Sequence, residues 1–440
     1  MTPVAKSRRT SPVLLVQGVG RNRVRSRAGC AFSAFDRGFG DFSRLFSIAP
    51  DGRATRYAPA GSLLPLKAAM TPVTIRLANR LSTIQDAFAR GRSEPRLVAG
   101  KRRNMTASVV CFGELLLRLN APDRELLLQS GQLRVYVGGA EANVAVSLAR
   151  LGHSTSMVSA VPDTALGAAC IGEIRRHGVA TEGIRQAPGR LGIYFMASGA
   201  GHRPSEIVYD RADSVFARLA DEATNWSTTL AGAKWLHISG ITPALGTRAA
   251  EATLRAARAA RVAGVRVSFD CNYRAKLWEA WQGDPAKILR EIVEQSDLVF
   301  ADERALALVM GNAGTGGASD FRAAAELAFK AFPHVQRIAC TARVEHNVDR
   351  HDMSALLASR QAFSTTRTYS LEAIVDRIGT GDAFAAGLLH GLLTGMDERN
   401  SLEFALAAAC LKHSVPGDFN LVTAAQIAEL LAGRGFAVRR

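Results

Sequence analysis

Asp382 stands directly behind Gly379-Thr380-Gly381 and directly ahead of an Ala- and Leu-rich run, Ala383 to Leu393, with Gly395 beyond it. That run has the length and composition of a buried helix, and Gly395 is a stop signal. The glycines therefore fall at a helix N-terminus, where backbone N–H groups lack partners and the dipole is positive. Such an end binds anions, phosphate included. Asp382, in the same first turn, can accept a hydroxyl proton while the amides of Gly379, Thr380, Gly381 and Asp382 take up developing charge. Phosphoryl transfer to an alcohol makes this pair of demands. In isolation, Gly-x-Gly-Asp is also an ordinary turn with an aspartate cap.

Two further stretches could hold a small molecule. In Val137-Gly138-Gly139-Ala140-Glu141-Ala142-Asn143-Val144-Ala145, the paired glycines let a ligand approach the backbone, and Asn143 offers both a donor and an acceptor. Tyr194 is followed by Tyr209-Asp210-Arg211-Ala212, and later by Asp270-Cys271-Asn272-Tyr273-Arg274 at the end of a β-like run. Arginine suits a bidentate grip on a carboxylate, and tyrosine hydroxyls can complete the shell. Each of these residues could equally be a surface arginine or a packed tyrosine.

The run Asp376-Arg377-Ile378-Gly379-Thr380-Gly381-Asp382-Ala383-Phe384-Ala385-Ala386-Gly387 closely resembles the C-terminal signature of the PfkB (ribokinase-like) carbohydrate kinases. The Gly138-Gly139 stretch, far upstream, lies in the order of the N-terminal signature of that family. Within the family, the Tyr-Asp-Arg-Ala and Asp-x-Asn-x-Arg runs, with Leu411-Lys412-His413-Ser414-Val415-Pro416-Gly417-Asp418-Phe419-Asn420, resemble the 2-keto-3-deoxygluconate kinases. The resemblance covers about Met105 to Leu431.

The resemblance implies a ribokinase-like three-layer α/β/α domain with a mainly parallel sheet and a small β-sheet lid. It implies transfer of the γ-phosphoryl group of ATP, with Mg2+, to a keto-deoxy sugar acid, 2-keto-3-deoxygluconate first, with Asp382 as general base. The substrate carboxylate would be held by Arg211, Arg274, Tyr194 and Tyr209. Gly138, Gly139, Asn143 and Asp418 would reach the rest of the sugar, and the Ala/Leu-rich helix before Asp418 would line the adenine pocket. There are two departures. Asp302-Glu303-Arg304-Ala305 replaces an Asn-x-x-Glu motif that orders magnesium in many relatives, so the expected ligands shift to Asp302 and Glu303. Thr341–Ser354 lacks the Lys-x-Gly turn common near the nucleotide.

These residues need a scaffold, and the pattern after Ser108 supplies one. Apolar strands (Ser108–Gly113, Ser154–Ala160, Trp235–Ser239, Arg266–Asp270, Asp297–Ala301, Arg337–Cys340) alternate with helical stretches (Glu141–Leu151, Ala165–His177, Arg248–Val262, Pro285–Glu294, Asp320–Phe332). Such alternation predicts a parallel sheet covered on both faces. Residues of about 114–137 and 191–210 break the rhythm with hairpin-like alternation and read as the candidate lid, a sheet whose open side suits a homo-oligomer.

Charge is distributed unevenly. Residues 1–104 hold 20 of the 55 Lys and Arg but only 5 of the 39 Asp and Glu, so nearly all of the net +16 resides there. High Arg without core periodicity predicts a disordered extension or a misplaced start, with an organelle-targeting segment or a nucleic-acid-binding arm as alternatives. No nucleic acid is expected on the body, residues 105–440. The six cysteines are scattered without a CxxC pair, which points to a reducing, cytoplasmic setting rather than a disulfide framework. No run approaches transmembrane length. The rival readings are a neutral-sugar kinase of the fructokinase or ribokinase type and a non-catalytic sugar or nucleotide sensor.

Overall fold

The computed structural model describes residues 47–48, 54–55, 107–219, 224–311 and 320–434. The chain divides into two compact units, Met1–Val98 and Ala99–Arg440. In the first, β1 (Ser47–Ile48) pairs antiparallel with β2 (Ala54–Thr55). Apart from that ladder, the expected disorder of residues 1–104 lies outside the described residues.

The second unit begins with β3 (Val109–Phe112), then β4 (Leu116–Asn120) and β5 (Arg134–Gly138). The helix Ala140–Arg150 leads to β6 (Thr155–Pro162), and the helix Ala165–Arg176 leads to β7 (Ala180–Ala187). Next come β8 (Gly192–Ala197), β9 (Glu206–Asp210), β10 (Trp235–Ser239), β11 (Arg266–Asp270) and β12 (Leu298–Phe300). A long hairpin of β13 (Arg337–Asn347) and β14 (Arg350–Ser359), with short β15 (Phe363–Thr365) and β16 (Tyr369–Leu371), precedes the helices Thr380–Thr394 and Glu398–Lys412.

One sheet has the order β15-β14-β13-β12-β11-β10-β3-β6-β7, with β16 also on β14. The strands from β7 through β13 are parallel, while β14, β15 and β16 join antiparallel. Alternation along β3 shows why helices cover both faces. Val110 and Phe112 pack into one core with the helices Thr247–Val262 and Phe321–Ala331. Val109 and Cys111 pack into the other with Ala140–Arg150, Ala165–Arg176 and Thr380–Thr394. Every residue of β3, β10 and β12 is buried, as parallel strands covered on both sides require.

The sequence expectations for the central strands and helices hold to within a few residues. Two corrections apply. The strand placed at Arg337–Cys340 runs on to Asn347, because β14 supplies an antiparallel partner for the extra turnless length. β7 was not expected, since its sequence ATEGIRQA carries little apolar signal and only Thr181 and Ile184 are buried.

The two breaks in the rhythm form a separate four-stranded sheet, β5-β4-β8-β9. The helix Thr380–Thr394 is seated by close contact with its neighbour Glu398–Lys412. A Cβ on Gly387 would lie 2.6 Å from the Ala405 Cα, so glycine there lets the two backbones approach. Among the described residues, no helix is long and apolar enough to cross a membrane.

Candidate active site

The parallel strands end on one side, and the chemistry-bearing residues gather there, as expected for an open α/β sheet. Gly379 initiates the helix Thr380–Thr394 in a left-handed conformation, φ 77°, and no side chain caps that end. Its Cα is pressed against the C-terminal turn, and a Cβ would stand 2.0 Å from the Asp418 carbonyl. Glycine is therefore required on both counts. The first-turn amides of Thr380, Gly381 and Asp382 have no acceptor within the helix, and Gly381 is exposed. Thr380 turns its hydroxyl away, donating to the Arg377 carbonyl at 3.0 Å.

Asp382 meets the helix Ala140–Arg150, where Asn143 Nδ2 donates to its Oδ2 at 2.7 Å. Burial pushes the Asp382 carboxyl up to about 8, the Asn143 bond pulling the other way and the charges of Asp270, Glu141 and Asp418 adding to the rise. A carboxyl so placed gains and loses its proton close to neutral pH, which suits proton transfer better than an ordinary aspartate does. Glu141 secures this helix start: its Oε1 accepts from the Ser239 amide (3.1 Å) and from the hydroxyls of Ser239 and Thr242 (both 2.7 Å).

The small sheet supplies the opposite wall. Its register aligns Tyr136, Arg118, Tyr194 and Tyr209 side by side across all four strands, and paired residues share a face. Tyr194 donates to Asp418 Oδ2 at 2.5 Å, and the Tyr209 ring lies 6.2 Å from that of Tyr194. Leu116, Tyr194 and Met196 pack with Ile378, the residue just before the Gly379–Asp382 turn. Asp418 abuts Gly138, where a Cβ would fall 2.7 Å from its Cγ. Burial pushes Asp418 up to about 6, opposed first by the Arg118 charge and then by the Tyr194 hydroxyl.

Gly138, Gly139, Asn143, Tyr194, Tyr209, Asp382 and Asp418 thus form one contiguous group. The arginines behave differently from each other. Arg211 is buried and already held, Nη2 at 2.7 Å and Nε at 2.8 Å from Glu114 Oε2. Arg274 is exposed, donates to the Tyr273 carbonyl at 2.9 Å, and forms no ion pair among the described residues. Its charge acts on Asp270, whose carboxyl burial raises to about 6 and the Arg274 charge pulls back.

Asp302, at the end of β12, caps the next helix by accepting from the Ala305 amide at 2.8 Å, and Glu303 follows it. Among the described residues, no group of three or more His, Cys, Asp or Glu could cage a metal. Mg2+ needs no such cage when phosphate and water complete its shell, and one or two carboxylates suffice. Asp302 and Glu303 fit that role.

Sequence reasoning missed three charged residues. Arg118 and Lys412 are fully buried, and Glu114 is the partner that occupies Arg211. Arg118 Nη1 lies 2.8 Å from Asp376 Oδ2 and 3.8 Å from Asp418 Oδ1. Lys412 Nζ donates to the Val415 carbonyl at 2.9 Å, beside the same two aspartates. The Leu411–Asn420 stretch had been singled out for Asp418, but nothing local distinguishes Lys412 from a surface lysine.

A model of the pfkB family carbohydrate kinases matches residues 106–424. The 2-dehydro-3-deoxygalactonokinase of Haloferax volcanii is 32% identical over 338 residues, 76% of this chain and 100% of the relative. The 5-dehydro-2-deoxygluconokinase of Bacillus licheniformis is 27% identical over 335 residues, 74% of this chain and 96% of the relative. The crystal structure of 2-dehydro-3-deoxygluconokinase from Thermotoga maritima aligns with a TM-score of 0.68 at 37% identity, covering 74% of this chain and 99% of that one.

Proposed function

Because the chain belongs to the pfkB family of carbohydrate kinases, we propose that it phosphorylates a keto-deoxy sugar acid with ATP, converting 2-dehydro-3-deoxygluconate to its 6-phosphate. One observation carries the sugar reading. Asn143 Oδ1, Glu114 Oε1 and Asp418 Oδ1 are buried acceptors without a hydrogen-bond partner, and buried acceptors normally find donors. A ligand with several hydroxyls supplies them. The names of the three relatives share a carboxylate, a ketone and a deoxygenated carbon, which supports the acid.

In this reading the sugar hydroxyl oxygen forms the new bond to the γ-phosphorus as the bond to the β-phosphate oxygen breaks, and the hydroxyl proton passes to Asp382. The amides of Gly379, Thr380, Gly381 and Asp382 bind the transferring phosphoryl oxygens. Mg2+, held by Asp302 and Glu303 with phosphate and water, would neutralise phosphate charge. The small sheet acts as a lid that keeps water from the phosphoryl group. The five described cysteines are free, in keeping with a cytoplasmic enzyme drawing on ATP. The open edges of β5 and β9 fit a second copy of the chain.

The Asp382 environment predicts the pH dependence. In the free enzyme the carboxyl is largely protonated at neutral pH, so kcat/KM is expected to rise from about pH 6 to about pH 8 as one proton leaves. Asn143→Ala removes the bond that favours the ionised form and should move this limb to higher pH. An ADP-release assay across pH reads both, and a flat profile over that range would refute the base assignment.

A neutral-sugar kinase remains a second reading for a specific reason: Glu114 already neutralises Arg211. Arg211→Leu does not separate the two cleanly, since it strands a buried carboxylate. Arg274→Leu does. For an acid substrate its KM is expected to rise roughly 10–100-fold, the equivalent of a charge-assisted hydrogen bond of about 1.5–3 kcal/mol, while the KM for ATP stays constant. The assay should compare 2-dehydro-3-deoxygluconate, its galacto epimer, 5-dehydro-2-deoxygluconate, fructose and ribose. Turnover of fructose or ribose alone, indifferent to Arg274→Leu, would replace the acid by a neutral sugar.

A further inference from the structure

Arg118 belongs to the small sheet, yet its charge is spent on the main domain. Its Nε and Nη2 are fixed on Asn120 Oδ1 at 3.2 and 2.9 Å, two residues along the same strand. The guanidinium lies over the Tyr136 ring, 5.3 Å from its centroid. So aimed, Nη1 stands 2.8 Å from Asp376 Oδ2, with both side chains almost wholly buried. Asp376 in turn holds two backbone segments of the main domain. Its Oδ1 accepts from the Ile378 amide at 3.0 Å, immediately before the anion-binding turn, and its Oδ2 accepts from the Gly417 amide at 2.9 Å, immediately before Asp418.

We propose that Arg118 is a positioning residue that couples seating of the small sheet to alignment of the Gly379–Asp382 anion-binding turn. When the small sheet is in place, the guanidinium completes the charge balance of Asp376 and orients it toward Ile378 and Gly417. When the sheet lifts, Asp376 keeps a buried carboxylate with one fewer partner, and the turn loses the restraint that holds its amides in register with the phosphoryl group. Full alignment of the turn would then accompany sheet closure, so that ATP is not hydrolysed before a sugar is bound. Lys412, the other buried cation facing Asp376 and Asp418, sits in the main domain and stays whichever way the sheet moves. Of the two buried cations facing Asp376, Arg118 is the one that moves with the sheet.

This inference rests on the kinase reading, and the wild-type enzyme tests that reading separately: turnover must first be established with one of the sugars above. Arg118→Met is then expected to lower kcat about 100-fold, the loss typical of reacting groups misplaced by about an ångström. The KM values for sugar and ATP should stay within about threefold, and sugar-independent ATP hydrolysis should rise as a fraction of total turnover. Arg118→Lys, which keeps the charge but not the fork, should recover part of kcat. If Arg118→Met does not fold, the Arg118→Met/Asp376→Asn pair, which removes both buried charges, is compared with Asp376→Asn alone. Coupling predicts nearly equal kcat for those two, because each has lost the same contact. A kcat for Arg118→Met within a few-fold of wild type, a loss carried wholly in KM, or a double variant far slower than Asp376→Asn alone would overturn the proposal.

Discussion

Asp382→Asn is expected to lower kcat by about 10²–10⁴-fold, the usual contribution of a positioned proton acceptor, while the protein stays folded. The amide is nearly the same shape as the protonated carboxyl that the free enzyme holds at neutral pH, and Asn143 can still bond to it after a flip of either amide. The stability comparison carries a sign that can be checked. The unfolded aspartate ionises near the ordinary carboxylate value, whereas burial holds the folded group at about 8. Between those values the unfolded state binds fewer protons, so the wild type loses stability as pH rises from about 4 to about 8. The variant lacks this slope. Thermal unfolding of both proteins should therefore diverge with rising pH in favour of Asp382→Asn, while an ADP-release assay reports the loss of turnover. Retention of more than about a tenth of wild-type kcat would remove Asp382 from the role of base.

Lys412→Met is expected to be the most damaging single change to stability. Lys412 is wholly buried, and its ammonium and Arg118 together face Asp376 and Asp418. Without it, two buried carboxylates share one guanidinium, and removing one member of a buried ionic group typically costs about 3–5 kcal/mol. Part of that cost is relieved when a carboxylate takes up a proton. Asp418, already raised to about 6 by burial, would rise further in the variant. The deficit should therefore grow as pH increases through 6 and shrink below it, and denaturant unfolding at pH 5 and pH 8 measures the difference. A deficit independent of pH would mean that the loss comes from packing of the lysine stem, not from charge.

The anion-binding turn and its helix were legible because their signals are local. Gly379, Gly381, Asp382 and the stop at Gly395 lie within one short stretch, and the expected run Ala383–Leu393 sits inside the observed helix Thr380–Thr394. The same holds for β10 and β11, whose expected limits coincide with those observed. What escaped depends on contacts between distant segments. Arg118 reads as a polar position in an alternating strand, and only its meeting with Asp376 makes burial tolerable. Arg211 was recognised as a site residue, but no local feature indicated that Glu114 would neutralise it. Thr341–Ser354 was noted for lacking a familiar turn, and its real character, a long hairpin that ties Gly201 to Val348 and Asp349 by backbone and side-chain bonds, is a tertiary one.

The register of the small sheet bears on how the gene can change. Tyr136, Arg118, Tyr194 and Tyr209 share a face because β4 is locked between an antiparallel and a parallel neighbour. Loss of a single codon within Leu116–Asn120 would shift the pairing by one residue, turn the guanidinium to the opposite side and present a leucine to Asp376. Codons between Pro122 and Gln132 carry no such constraint of phase, because that stretch connects strands without setting their pairing. Insertions and deletions should therefore accumulate in the connection and be purged from the strand, although the two are adjacent in the message.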